Sequence, residues 1–294
     1  MLGIEQFLKY LRLERNYSDQ TIVSYREDLE LFLLFFKKKD VQLSWETIDA
    51  DVARDWVEYM MDKGNSATSV NRRLSALRSF YRYALKRKLV ERNPIYNVKG
   101  PKRQKTLPQF LKEAEMDKLI DPDMWTDDYN NVLARTIIIT FYSTGIRLSE
   151  LVSLEDKDIN AFTNELKVTG KRDKQRIIPF GAELAETLEL YKQKRDEEVN
   201  RMEKGLFLNK KGKRVSNAYV RKLVKENLAR VSTLKKKSPH VLRHTFATAM
   251  LNAEAGLGSV KELLGHESIS TTEVYTHTTF EQLKKVYKDA HPRA

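Results

Sequence analysis

Tyr275 stands in "LLGHESISTTEVYTH", Leu263 to His277, among Ser268, Ser270, Thr271, Thr272, Thr276, Thr278 and Thr279. A tyrosine that packs its ring normally keeps apolar company, so this one is a candidate nucleophile as well as a candidate core aromatic. Four of the five histidines, His240, His244, His266 and His277, fall in the same C-terminal stretch. "HVLRH" sets His240 and His244 at the i,i+4 spacing of a helical zinc pair. A zinc-hydrolase motif needs a glutamate where Val241 stands, however, and the chain has no cysteine, so no metal is expected. His240 and Arg243 share a helix face instead, and an imidazole beside a planar guanidinium makes a clamp for phosphate oxygens. A second arginine is available in "FYSTGIRLSEL", where Gly145 ends one helix and Arg147 opens the next, its charge adding to the free amides of a helix N-terminus.

Together these residues suit attack on a phosphodiester. The pentavalent state places extra negative charge on the non-bridging oxygens, which two arginines and one or two imidazoles can stabilise without metal or cofactor. Tyrosine, with a pKa of about 10, needs a base or a positive field close by to attack. A phosphotyrosine ester would store the energy of the cut bond, so resealing requires no nucleotide.

The elements that must position them read as mainly helical. In "NYSDQTIVSYREDLELFLLFF", Ser18 is an N-cap signal, and Ile22, Tyr25, Leu29, Phe32 and Phe36 follow at helical spacing. A second helix opens near Ser66, with Val70, Leu74, Leu77, Tyr81, Ala84 and Leu85 as its apolar stripe and Arg72, Arg82 and Lys86 opposite. Pro94, Gly100, Pro101 and Pro108 disfavour helix, which predicts a linker over 98–108 between domains at 1–97 and 109–294. "NELKVTGKRDKQRIIPF" switches to extended structure: Leu166 and Val168 alternate, a turn follows, and Ile177, Ile178 and Phe180 return. Helices resume at "AELAETLELYKQKRDEEVNRM" and "SNAYVRKLVKENLARV". The expected fold is mainly α, with an N-terminal helical bundle and a C-terminal α+β domain carrying one small antiparallel sheet.

Charge points to the partner. Lys and Arg number 53 against 41 Asp and Glu, a net charge of +12. From Arg72 to Lys105 twelve basic residues face one acid, Glu91, which is too lopsided for an ordinary solvated face. A phosphate-contacting surface through Arg72, Arg73, Arg82 and Lys86 is expected. No apolar run approaches the roughly 20 residues of a membrane span, and the N-terminus lacks a signal-peptide pattern, so a soluble cytoplasmic protein without membrane partners is expected.

In this order, "STGIRLSELVSL", "VTGKRDKQRIIPF", "HVLRHTFATAML" and "LLGHESISTTEVYTH" resemble the four C-terminal motifs of the tyrosine recombinases of the phage-integrase family. "LRLERNYSDQTIVSYREDLELF" is similar to that family's core-binding, SAM-like domain. The resemblance is closest to the short, Xer-like members and leads us to expect no arm-binding domain before residue 1. It implies a catalytic set of Arg147, Lys171, His240, Arg243, His266 and Tyr275, with Lys171 as general acid, Tyr275 as nucleophile and Glu150 in support. Arg172 and Lys174 are rivals to Lys171 in the same turn, and Glu150 could equally serve its helix dipole. The resemblance further implies a site-specific recombinase that makes a 3′-phosphotyrosine and a free 5′-hydroxyl. It would act on paired duplex sites as a homotetramer, or as a heterotetramer with a related recombinase. "FEQLKKVYKDAHPRA", with Phe280, Leu283 and Val286 on one face, would dock on a neighbouring subunit or close its own domain. A type IB-like topoisomerase and a non-catalytic DNA-binding protein are the alternatives. Glu254 and Gly256 depart from the family's turn pattern; a left-handed residue there costs glutamate roughly 1 kcal/mol relative to glycine.

Overall fold

The computed structural model describes residues 3–102, 108–170, 173–265 and 280–293. Two compact units divide the chain, Met1–Thr106 and Leu107–Ala294.

The first unit is a bundle of four helices, α1 (Ile4–Leu13), α2 (Asp19–Lys39), α3 (Ala50–Asp62) and α4 (Ala67–Lys86). Both expected caps form. The Ser18 hydroxyl accepts from the Thr21 amide at 3.4 Å and Ser66 from the Ser69 amide at 3.2 Å, each satisfying an amide that the helix leaves orphaned, for about 1 kcal/mol. Ile22, Leu29, Phe32 and Phe36 of α2 meet Val70, Leu74, Leu77, Tyr81 and Ala84 of α4 in the core. Leu85 departs from the expected stripe and is 43% exposed. The reason is aromatic packing: Phe80 and Tyr83 lie against Phe7 of α1, with ring centroids at 5.4 and 5.5 Å, which turns α4 toward α1. The unit also extends past residue 97. Val98 is buried, Arg78 donates to its carbonyl, and Asn71 donates to the Pro101 carbonyl at 2.8 Å.

The second unit opens with α5 (Glu113–Ile120), α6 (Tyr129–Thr144) and α7 (Leu148–Ser153). Strands β1 (Ile159–Asn160), β2 (Glu165–Thr169) and β3 (Gln175–Pro179) form an antiparallel sheet in the order β1-β2-β3. Then come α8 (Ala182–Glu198), α9 (Asn217–Val231), α10 (Pro239–Asn252), α11 (Leu257–Leu264) and α12 (Phe280–Ala290). Helix α6, buried on nearly every side, is the centre against which α8 and α10 pack. The expected hairpin forms, pairing Leu166 with Ile178 and turning Leu166, Val168 and Ile178 into the core, but Ile177 faces outward. Glu254 adopts the left-handed conformation expected of its turn, at φ +60°.

Leu283, Tyr287 and Ala290 of α12 are buried against their own domain. The Tyr287 ring stacks on His291 at 4.9 Å, and His291 Nε2 lies 3.1 Å from the Tyr142 carbonyl. The apolar face expected to dock on a neighbour is thus occupied within the chain, with Val286 packed on the same core and the Phe280 side chain outside the described residues. Among the described residues no helix is long and apolar enough to cross a membrane.

Candidate active site

The site begins where α6 ends. Gly145 takes the left-handed C-cap at φ +58°. A Cβ there would lie 2.4 Å from Phe246 of α10, so only glycine satisfies both the turn and the packing. The chain re-enters helix after Arg147, the N-cap of α7. Glu150, in the first turn of α7 and 2% exposed, reaches back to accept from the Arg147 amide at 2.7 Å and from Arg147 Nη1 at 2.8 Å. Arg243 projects from α10 toward the same point, only 8% exposed, and donates to the carbonyls of Gly145 and, at 2.7 Å, Leu264.

The C-terminal end of α11 ties these groups together. Arg176 Nε donates to the Leu263 carbonyl at 2.9 Å, Arg243 Nη2 to Leu264 at 2.7 Å, and Arg147 Nη2 to Gly265 at 2.5 Å. Three guanidinium groups therefore engage three consecutive carbonyls at the negative end of a helix dipole. Gly265 closes that helix at φ +64°, and His266 follows it.

Electrostatics here are those of a site with surplus positive charge. Burial would raise the Glu150 carboxyl, but hydrogen bonds from Arg176 and from the Arg147 amide hold it down at about 2. Burial lowers Arg243, and the neighbouring Arg147 charge lowers it further, to about 10. It stays a cation at neutral pH, beside a like charge that an incoming anion would relieve.

Residues 109–282 match the phage integrase family, and residues 4–88 match the phage integrase N-terminal SAM-like domain. The chain belongs to the phage integrase family. Tyrosine recombinase XerC of Pelotomaculum thermopropionicum is 40% identical over 302 residues, covering 99% of this chain and 98% of its own. Tyrosine recombinase XerC of Staphylococcus aureus is 39% identical over 292 residues, at 99% and 96% coverage. Among solved structures, the XerH site-specific recombinase bound to difH substrate in a pre-cleavage complex is 25% identical, with a TM-score of 0.70 and 96% and 83% coverage. The Tn1549 transposon integrase in complex with transposon right end DNA shares the fold, with a TM-score of 0.73 at 20% identity over 98% and 99% of the chains.

Within this tyrosine recombinase the structure brings Arg147 and Arg243 together. It places His240 one turn before Arg243 on α10, exposed at the surface. His244 is exposed on the same helix, and partial desolvation of its ring together with the nearby His240 and Arg243 lowers its pKa. Lys171, His266 and Tyr275 lie outside the described residues, as do Arg172 and His277. Among the described residues no cluster of three His, Cys, Asp or Glu side chains could hold a metal.

In the SAM-like unit, Arg82 and Lys86 are exposed on α4. Arg72 is half-exposed but committed inward, with its two Nη atoms 2.5 and 2.7 Å from the carboxylate of Asp28, itself 1% exposed. Arg73 is mostly buried, donating to Asn65 Oδ1 at 2.9 Å and lying 3.7 Å from Asp28. Motif reading alone misses Arg176. A signal was present: in a strand whose side chains alternate, Arg176 shares the inward phase with Ile178, and an inward arginine requires a buried acid.

Proposed function

We propose that this recombinase cuts and rejoins duplex DNA at specific sites, one strand at a time, through Tyr275. The catalytic set would be Arg147, Lys171, His240, Arg243, His266 and Tyr275, with no metal or cofactor. The observation that carries this reading is the convergence of Arg147 and the buried Arg243 on the end of α11, from which the chain runs to His266 and, nine residues on, Tyr275.

The chemistry follows from the residue types. Arg147, the more accessible of the pair with its side chain 37% exposed, and Arg243 behind it face the non-bridging oxygens and oppose the charge that grows in the pentavalent state. His240 and His266 add hydrogen bonds to the same oxygens. Tyr275 attacks phosphorus, Lys171 protonates the departing 5′-oxygen, and a 3′-phosphotyrosine remains. Attack by a partner strand's 5′-hydroxyl reverses the step. Arg82 and Lys86 of the SAM-like unit contact the DNA backbone. Similarity to XerC tyrosine recombinases and to the XerH site-specific recombinase bound to difH substrate supports site-specific action on DNA. The protein would work in the cytoplasm as a tetramer on two paired sites, either of four identical subunits or shared with a related recombinase.

A nicked suicide substrate carrying the recognition site tests it. Wild-type protein is expected to form a denaturant-resistant protein–DNA adduct, and Tyr275→Phe to bind the site equally well and form none. An adduct in that variant would move the nucleophile elsewhere. Strand-exchanged products from two sites separate a recombinase from a topoisomerase, which yields relaxed circles without a site, and from a plain binder, which yields neither.

A further inference from the structure

Arg147 is held in place by two anchors, the Glu150 carboxylate at 2.8 Å and the Gly265 carbonyl at 2.5 Å. Arg176 of β3 grips both. Its Nη1 and Nη2 bond the two oxygens of Glu150 at 2.8 and 2.9 Å, and its Nε bonds the Leu263 carbonyl at 2.9 Å. The guanidinium also lies flat against Gly265: a Cβ on that glycine would stand 3.0 Å from Nη1, 3.2 Å from Cζ and 3.3 Å from Nε. A Cβ on Gly170 would likewise stand 3.4 Å from Glu150 Oε1 and 3.9 Å from Arg176 Nη1. The Glu150–Arg176 pair therefore packs against both glycines that immediately precede Lys171 and His266 in the chain.

We propose that Arg176 is a positioning residue of the cleavage reaction, fixing Arg147 through Glu150 and fixing the end of α11 through Leu263 and Gly265. This rests on the reading of Arg147 and Arg243 as the phosphate clamp. The Arg147 amide and Nη1 reach one Glu150 oxygen each from a single residue, whereas the fork-to-fork pair with Arg176 fixes the plane of the carboxylate from a second element. With Arg176 removed, the buried Glu150 keeps, among the described residues, Arg147 as its cationic partner. It draws that guanidinium toward itself and away from the phosphate, while the end of α11 loses one of its three guanidinium donors. Misplacement of a clamp by about 1 Å slows a reaction by about 100-fold.

The test compares single-turnover cleavage of a nicked suicide substrate by wild type, Arg176→Ala and Arg176→Lys, with DNA affinity and thermal midpoint measured for each. Each protein is given two scissile groups: an ordinary phosphodiester and a neutral methylphosphonate, which lacks the charge the clamp opposes. On the phosphodiester, Arg176→Ala is expected to cleave about 100-fold more slowly than wild type at unchanged affinity. Arg176→Lys, which keeps the charge but not the fork, recovers only part of that loss. On the methylphosphonate the gap between wild type and either variant narrows toward unity. An equal gap on both substrates assigns Arg176 a purely structural duty and overturns the proposal, as does cleavage of the phosphodiester at the wild-type rate. If Arg176→Ala does not fold, the Arg176→Lys ratio on the two substrates decides by the same criterion. Absence of any adduct with wild-type protein would fell the phosphate-clamp reading itself and this proposal with it.

Discussion

Arg176 meets Glu150 end-on, Nη1 to Oε1 at 2.8 Å and Nη2 to Oε2 at 2.9 Å, joining a sheet strand to the first turn of α7 across a buried carboxylate. Burial opposes the ionised form of Glu150, and the hydrogen bonds from Arg176 and Arg147 overcome it, so the folded pKa falls from 4.5 to about 2. Because the folded value is the lower one, the stabilisation is complete above pH 4.5 and is lost as pH falls through about 2. Glu150→Ala should destabilise the catalytic unit by roughly 3 kcal/mol at neutral pH, since it strands the partner arginines. Denaturant unfolding at a series of pH values should show the gap between wild type and Glu150→Gln closing between pH 4.5 and 2. A gap that stays constant over that range would mean the carboxylate is not held ionised by its arginines.

His291 titrates in a higher window. Burial, only partly offset by its bond to the Tyr142 carbonyl, lowers the imidazole from 6.5 to about 4. The neutral ring is the folded form, so its contribution is complete above pH 6.5 and declines as pH falls through about 4. Hydrogen exchange should show α12 amides losing protection across that range. His291→Leu, which cannot charge, should flatten the dependence; an identical pH profile in the variant would clear His291 of the effect.

Arg72 and Arg82 should behave differently although both lie on α4. Arg82→Ala removes an exposed charge and is expected to lower the salt slope of DNA binding by about one counterion without altering stability. Arg72→Ala leaves Asp28, whose burial already raises its pKa, with Arg73 at 3.7 Å in place of its bidentate partner, and should destabilise the SAM-like unit by roughly 1–3 kcal/mol, the half-exposed arginine limiting the loss. Thermal unfolding beside salt titration separates the two; equal stability losses would deny Arg72 its structural duty.

Lys171 is expected to be the general acid. The 5′-oxygen leaves as an alkoxide unless protonated, so Lys171→Ala should slow cleavage of ordinary DNA by about 10²–10⁴-fold. A substrate with sulfur at the 5′ bridging position has a leaving group that needs no proton and should restore most of the rate. Rescue of Arg172→Ala or Lys174→Ala instead would transfer the role to that residue.

Cleavage should continue in excess EDTA, since arginines and histidines carry the electrostatic work. Activity abolished by the chelator and restored by zinc or magnesium would place a metal in the reaction.

Much of this molecule was legible before its tertiary structure. The Ser18 and Ser66 caps act on amides three residues away, the hairpin is written in the alternation of Leu166 and Val168, and the left-handed Glu254 follows from its turn. Each is a local interaction, satisfied within a few residues, so the sequence displays both partners at once. The phage-integrase motifs likewise named Arg147 and Arg243. What only the tertiary structure decided is which distant groups those side chains meet. Arg72 finds Asp28 across 44 positions, Arg176 finds Leu263 across 87, and His291 finds Tyr142 across 149. An arginine's preference for a carboxylate or a carbonyl is a property of its type, but the partner it obtains depends on how whole elements pack. Packing turned Arg72 inward to a core acid and laid α12 on its own domain. It also made Arg176, unremarked in its strand, the link between β3, α7 and the end of α11.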